Sequence, residues 1–137
     1  MHQPYCTAMI LCDYVHRDPA TGKHTILGTF GTFGSNSYPA TIQLTIFFSL
    51  TDCLGRHRVN FRLVKAEDII NPDAEPVVQI GMDVEATDPN SVLEGAIPLV
   101  GPIPESGVYH CEIFLNSDDV LMSRRLIALN LNDITNE

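Results

Sequence analysis

The clearest chemistry in the sequence comes from the only concentration of basic side chains in an otherwise acidic chain, formed by Arg56, His57, Arg58 and Arg62. Arg58 and Arg62 fall on one face of a predicted strand, about 13 Å apart. Guanidinium groups bind carboxylates through paired hydrogen bonds, so the pattern favours a site for a small anion or a carboxylate ligand. The alternative is cross-strand pairing with Asp83 and Glu85, which is common in sheets.

Residue types that bind metals or act as nucleophiles occur without the spacing that such sites need. Asp52, Cys53 and His57 lie within six residues, but structural zinc usually takes four ligands at recurrent spacing. No Gly-x-Ser-x-Gly motif is present either. We therefore expect no metal, no cofactor and no enzymatic activity. A calcium-dependent sandwich stays open, because several aspartates fall near predicted turns: Asp13, Asp18, Asp52, Asp88 and Asp118.

Alternation of apolar and polar residues with a period of two dominates the chain and predicts strands. It predicts an all-β fold: a single antiparallel β-sandwich of about seven to eight strands, immunoglobulin-like or C2-like, in one domain over residues 1–137. Little helix is expected beyond a turn near Ala66–Ile70. The turn at 51–56 predicts a hairpin between the third predicted strand, Thr41–Leu50, and the next. The predicted strands are Tyr5–Val15, Lys23–Gly31, Thr41–Leu50, Arg58–Leu63, Val78–Thr87, Val92–Val100, Val108–Leu115 and Val120–Leu131.

Some large apolar residues lie at positions that the alternation assigns to the outside of the sandwich. The stretch Ala8–Cys12 is apolar on both faces, and a strand of this kind must be covered on both. The cover is either the Pro-rich segment Ile97–Glu105 of the same chain or a second copy. An interface with another chain would use the residues Met9, Leu11, Phe47 and Phe114.

The composition excludes several classes of function. The chain has 137 residues, 8 Lys+Arg and 17 Asp+Glu, so its formal net charge is −9. A general nucleic-acid or anionic-membrane surface needs a net basic face, so neither partner is expected. The four cysteines show no C-x-x-C spacing, and the N-terminal residues lack the basic region of a secretory signal. We expect buried free thiols and a cytoplasmic location.

The sequence carries two resemblances, one of a short stretch to a known fold and one of nearly the whole chain to a family. The run from Pro104 to Leu115, with Tyr109-x-Cys111, resembles the penultimate strand of immunoglobulin-like sandwiches, although the chain has no Trp. Nearly the whole chain resembles a family of small uncharacterised bacterial β-sandwich proteins, through features such as Asp18-x-x-Thr-Gly-Lys23, Ile26-Leu-Gly-Thr-Phe30 and Tyr38-Pro39. That resemblance implies the fold and assigns no activity and no catalytic residues.

These observations predict a non-catalytic β-sandwich that acts as an oligomeric or protein-interaction module. Self-association or another protein is the expected partner. The alternative function is the binding of a small anion or carboxylate by the Arg56–Arg62 hairpin.

Overall fold

The computed structural model describes residues 4–69, 71, 73–116 and 120–135, and most of these residues are in strands. Nine strands are formed: β1 Tyr5–Arg17, β2 His24–Thr29, β3 Thr32–Ser35, β4 Ala40–Thr51, β5 Gly55–Lys65, β6 Val78–Ala86, β7 Leu93–Ile103, β8 Gly107–Leu115 and β9 Val120–Asn130. The helical content of this part is one 3-10 turn, Ala66–Asp68, and one short helix, α1, Leu131–Thr135. Neither is long enough to cross a membrane. The predicted all-β sandwich is confirmed, while the single domain over residues 1–137 stays a prediction.

The strands form two packed sheets, in the orders β2-β1-β4-β7 and β3-β9-β8-β5-β6. All described pairs are antiparallel except β3 with β9. The orders β1-β4-β7 and β9-β8-β5-β6 are similar to the A-B-E and G-F-C-C′ orders of immunoglobulin-like sandwiches. The hydroxyl of Tyr109 also donates to the carbonyl oxygen of Glu105 at 2.7 Å, a contact like the tyrosine corner of those folds.

The predicted hairpin between β4 and β5 is wrong, because the two strands belong to different sheets. β4 pairs with β1 and β7, and β5 pairs with β6 and β8. Asp52 and Gly55, with φ of 55° and 96°, turn the chain from one sheet to the other, and Cys53 is buried between them. Turn residues of this kind serve a crossing between sheets as well as a hairpin.

The core lies between the sheets and follows the predicted alternation. The inward residues of β4 are all buried: Ile42, Leu44, Ile46, Phe48 and Leu50. They meet the inward residues of β5, and the rings of Phe48 and Phe61 are 5.3 Å apart across the two sheets. The inward phase of β4 is therefore confirmed.

The hairpin formed by β1 and β2 folds back over the outer face of its own sheet. Arg17, which pairs with His24, is seven residues from Ile10, which pairs with Phe47. On a straight strand, Arg17 and Ile10 would be about 23 Å apart, and so would their partners His24 and Phe47. The rings of His24 and Phe47 are instead 5.4 Å apart, in an edge-on contact. The hairpin therefore covers the part of the outer face around Phe47.

Three of the four predicted interface residues are covered by their own chain, so the prediction is wrong for them. Met9 and Leu11 point into the core between the sheets, and Phe47 contacts the folded hairpin. The segment suggested as the cover is itself largely strand, because β7 extends to Ile103. Phe114 is half-buried on β8, and its place in an interface stays a prediction.

Candidate functional site

The two exposed arginines of the predicted anion site are paired with acidic residues of the neighbouring strand. Arg56 lies opposite Glu85 and Arg58 opposite Asp83, with closest N–O distances of 3.4 and 3.3 Å. Both ion pairs are largely exposed, so each contributes little to stability. They do neutralise this part of the surface. At these two arginines the structure therefore shows the alternative that the sequence left open, cross-strand pairing with acidic residues.

His57 and Arg62 do not join Arg58 in a common site. The side chain of His57 turns to the connection before β5, with Nε2 2.9 Å from the carbonyl oxygen of Leu54. Arg62 is 8% exposed, and its Nε donates to Oε1 of Glu112 at 2.7 Å. The predicted ligand site that includes Arg62 is therefore wrong, because a buried carboxylate already holds that guanidinium.

The pair Arg62–Glu112 is buried on the outer face of the sheet formed by β5 and β8. The two residues are directly opposite in the register, and Nη2 of Arg62 also donates to the carbonyl oxygen of Asn71 at 3.4 Å. Asn71 lies between the 3-10 turn and β6, and its carbonyl oxygen thus contacts this outer face. Glu112 is fully buried, and its Oε2 has no hydrogen-bond partner among the described residues. A carboxylate in this setting depends strongly on its one cation.

The thiol suggested as a metal ligand is not available as one. Cys53 is 1% exposed, and burial raises the pKa of its thiol, which disfavours the thiolate that binds metals. In the part of the chain that the structure describes, no three His, Cys, Asp or Glu side chains come close enough to hold a metal ion.

The outer edge of β6 is a surface that the sequence analysis did not single out. In the described part of the chain each sheet ends in two edge strands, β2 and β7 in one, β3 and β6 in the other. β2 and β3 have only six and four residues, and β7 contains Pro98 and Pro102, which lack the N–H needed for further pairing. β6 has nine residues and no proline. It is the edge best suited to pair with another strand.

A second basic pair, Arg124 and Arg125, was also missed. Both lie on β9 and line a groove together with Ile10, Leu11, Thr29, Phe30 and Gly31. The statement that Arg56–Arg62 is the only basic concentration is therefore wrong. Two adjacent arginines in an acidic chain are a visible signal in the sequence. That neither arginine has an acidic partner among the described residues is visible only in the fold.

The two packed sheets and the tyrosine contact define this chain as a β-sandwich protein. The chain belongs to the DUF6941 family, a family of unknown function, whose model matches residues 7–129. The predicted resemblance to a family of uncharacterised proteins is thereby confirmed. No curated protein is significantly similar to the chain.

Proposed function

We propose that this chain is a non-catalytic module that self-associates, two copies pairing antiparallel along β6 to form one continuous sheet. The observation that supports the proposal is that β6 is a nine-residue edge strand without proline, whereas β7 contains two prolines and β2 and β3 are short. Strand addition at such an edge supplies a row of backbone hydrogen bonds. The four free, buried cysteines are in keeping with the reducing cytoplasm expected for the chain.

The side chains of β6 allow two-fold pairing in which no two carboxylates are directly opposite each other. If the two-fold axis passes through Met82, Asp83 of one copy lies opposite Gly81 of the second copy. Glu85 then lies opposite Gln79 of the second copy, so no carboxylate faces another across the new strand pair. Asp83 and Glu85 are also neutralised by Arg58 and Arg56 of their own strand pair.

The net charge of the chain opposes association at long range. Each copy carries −9, and like charges repel until salt screens them. The contact itself is close to neutral, so added salt removes the repulsion and leaves the backbone hydrogen bonds in place. We therefore expect a dimer that becomes tighter as the ionic strength rises.

Two substitutions at Gln79 test the register. Gln79 is exposed, and Lys at this position would lie opposite Glu85 of the second copy, whereas Glu would repel it. A charged cross-strand pair changes the free energy by about 0.2–1 kcal/mol, and the contact occurs twice in a two-fold dimer. The dimer dissociation constant should therefore fall by a factor of about 2 to 30 for Gln79→Lys and rise by a similar factor for Gln79→Glu. Sedimentation equilibrium over a range of concentrations measures both.

Gln43 is the matched control. It is exposed on β4, in the other sheet, so Gln43→Lys and Gln43→Glu make the same changes in net charge away from the proposed contact. Equal changes in the dimer dissociation constant for the Gln43 and Gln79 variants would show that the net charge of the chain, and not a contact at Gln79, controls dimerisation. A strict 15 kDa monomer at every concentration would refute the dimer. Urea unfolding of each variant checks that the protomer still folds.

A further inference from the structure

We propose that the first half of β9 binds an extended peptide of another protein, which carries two adjacent acidic residues and pairs with β9 as an added strand. The inference does not depend on the β6 contact, because β8 and β5 separate β9 from β6 in their sheet. It assigns a partner to Arg124 and Arg125, for which the described part of the chain provides no carboxylate.

The first half of β9 has a strand on only one side in the part of the chain that the structure describes. β8 pairs with β9 from Val120 onward, whereas β3, on the other side, first pairs at Ile127. The connection before β3 is bound to β1 instead, because the N–H of Phe30 donates to the carbonyl oxygen of Leu11 at 3.1 Å. Residues 120–126 therefore form an open edge.

The backbone groups that point away from β8 at this edge are those of Ser123 and Arg125. The N–H of Ile127 donates to the carbonyl oxygen of Gly31 at 2.8 Å, on the side of β3. Alternate residues of a strand direct their N–H and C=O groups to the same side, and the register with β8 is regular over this part of β9. The groups of Ser123 and Arg125 thus point to the side without a strand, where they can pair with an added one.

Arg124 and Arg125 lie on the two faces of the open edge. Arg124 is opposite the buried Cys111, and its Nε donates to the carbonyl oxygen of Met9 in the facing sheet at 2.7 Å, so it lies between the sheets. Arg125 is opposite His110 and lies on the outer face. Both arginines are exposed. An added strand also directs successive side chains to opposite faces, so two adjacent residues of the partner lie beside the two arginines, one on each face.

The charge of β9 indicates the chemistry of the partner. The strand contains two arginines and no aspartate or glutamate, and the carboxylate of Glu112 on β8 is buried and bound by Arg62. Opposite charges on neighbouring strands attract and like charges repel, so an acidic strand fits this edge better than a second copy of β9. At 0.15 M ionic strength the screening length is about 8 Å, so charges next to the partner matter more than the −9 of the whole chain.

Two capped hexapeptides test the edge: Thr-Val-Asp-Asp-Val-Thr, and Thr-Val-Asn-Asn-Val-Thr, which has the same length and no charge. In NMR titrations of the uniformly ¹⁵N-labelled full chain, the acidic peptide should shift the amide signals of Ser123 and Arg125 saturably. It should also slow the exchange of these two amide hydrogens, because they become hydrogen-bonded, and leave that of Arg124, which points to β8, unchanged. The uncharged peptide loses two charge pairs and should bind about 2- to 30-fold more weakly.

Variants separate the contribution of charge from that of the backbone. Arg125→Gln removes one charge pair and should weaken binding of the acidic peptide by about 1.5- to fivefold, whereas Arg17→Gln, on the β1–β2 hairpin, should bind it as the unaltered protein does. Ser123→Pro removes an N–H that points to the open side, a position where proline is tolerated, and should weaken binding by about two- to tenfold. Ser123→Ala keeps this N–H and should bind normally. Urea unfolding of each variant checks that it folds.

Four results would overturn the inference. These are no binding of the acidic peptide at millimolar concentration, equal binding of the two peptides, equal binding of the acidic peptide by Arg125→Gln and Arg17→Gln, or slowed exchange at Gln79 and Gly81 of β6 in place of Ser123 and Arg125. None of them bears on the proposed dimer, which sedimentation measures without peptide.

Discussion

Replacing Glu112 by leucine is expected to destabilise the fold by about 3–5 kcal/mol, since breaking a buried ion pair leaves the other charge without compensation. Arg62 is 8% exposed and its Nε is 2.7 Å from the carboxylate of Glu112. With Leu at position 112, this guanidinium would keep only its 3.4 Å contact to the carbonyl oxygen of Asn71. The free energy of unfolding in urea, measured at pH 7, tests the expectation.

The double variant distinguishes a structural ion pair from a general loss of packing. Replacing a buried pair by apolar residues of similar volume is often neutral or stabilising. Arg62→Met with Glu112→Leu should therefore be more stable than Glu112→Leu alone. The exposed pair Arg58–Asp83 is the control, and removing either partner should change stability by less than about 1 kcal/mol. If the loss of stability in the double variant equals the sum of the losses in the two single variants, Arg62 and Glu112 contribute to stability independently and not as a pair.

The second large effect is a loss of stability in alkaline solution through Cys111. Burial, assisted by the charge of Glu112, raises the pKa of the Cys111 thiol from its ordinary value of 9.0 to about 12. Between these values the unfolded chain releases the thiol proton and the folded chain keeps it. The stabilisation is therefore complete below pH 9 and is lost as the pH rises toward 12, by about 4 kcal/mol at 1.36 kcal/mol per unit.

Urea unfolding between pH 8 and pH 10.5 measures the first half of this loss, about 2 kcal/mol, and Cys111→Ala is the matched variant. The variant is less stable at pH 8 because it leaves a cavity, but its stability should fall less steeply with pH. Burial also raises the pKa of Tyr109 and of Cys53, which adds a shallower slope of the same sign to both proteins. Identical slopes in the two proteins would contradict the assignment to Cys111.

The sequence predicts the faces of the strands better than their partners. Alternation identifies Ile42 and Phe48 as inward residues because one buried face imposes a period of two. It carries no information on which strand lies alongside, so the crossing at Asp52–Gly55 was predicted as a hairpin. The burial of Phe47 was missed for a related reason, since a hairpin that folds back over its own sheet leaves the alternation unchanged.

The candidate sites depend on contacts between residues distant in sequence. Pairing of Arg58 with Asp83 was predictable as an alternative, because the two lie on neighbouring strands of the chain. The partner of Arg62 is fifty residues away, and its burial requires the segment around Asn71. Arg124 and Arg125 are adjacent in the sequence, but that they have no acidic partner in the described part of the chain follows only from the positions of its carboxylates in the fold.

The most direct test of the central claim, pairing of two copies along β6, is an isotope-filtered NMR experiment on an equal mixture of ¹³C-labelled and unlabelled chains. The two-fold register predicts contacts between the Met82 residues of the two copies and between Ile80 of one copy and Val84 of the other. Contacts between copies at any other surface, such as around Phe114, would contradict the account. So would the absence of contacts between copies at a concentration where sedimentation shows a dimer.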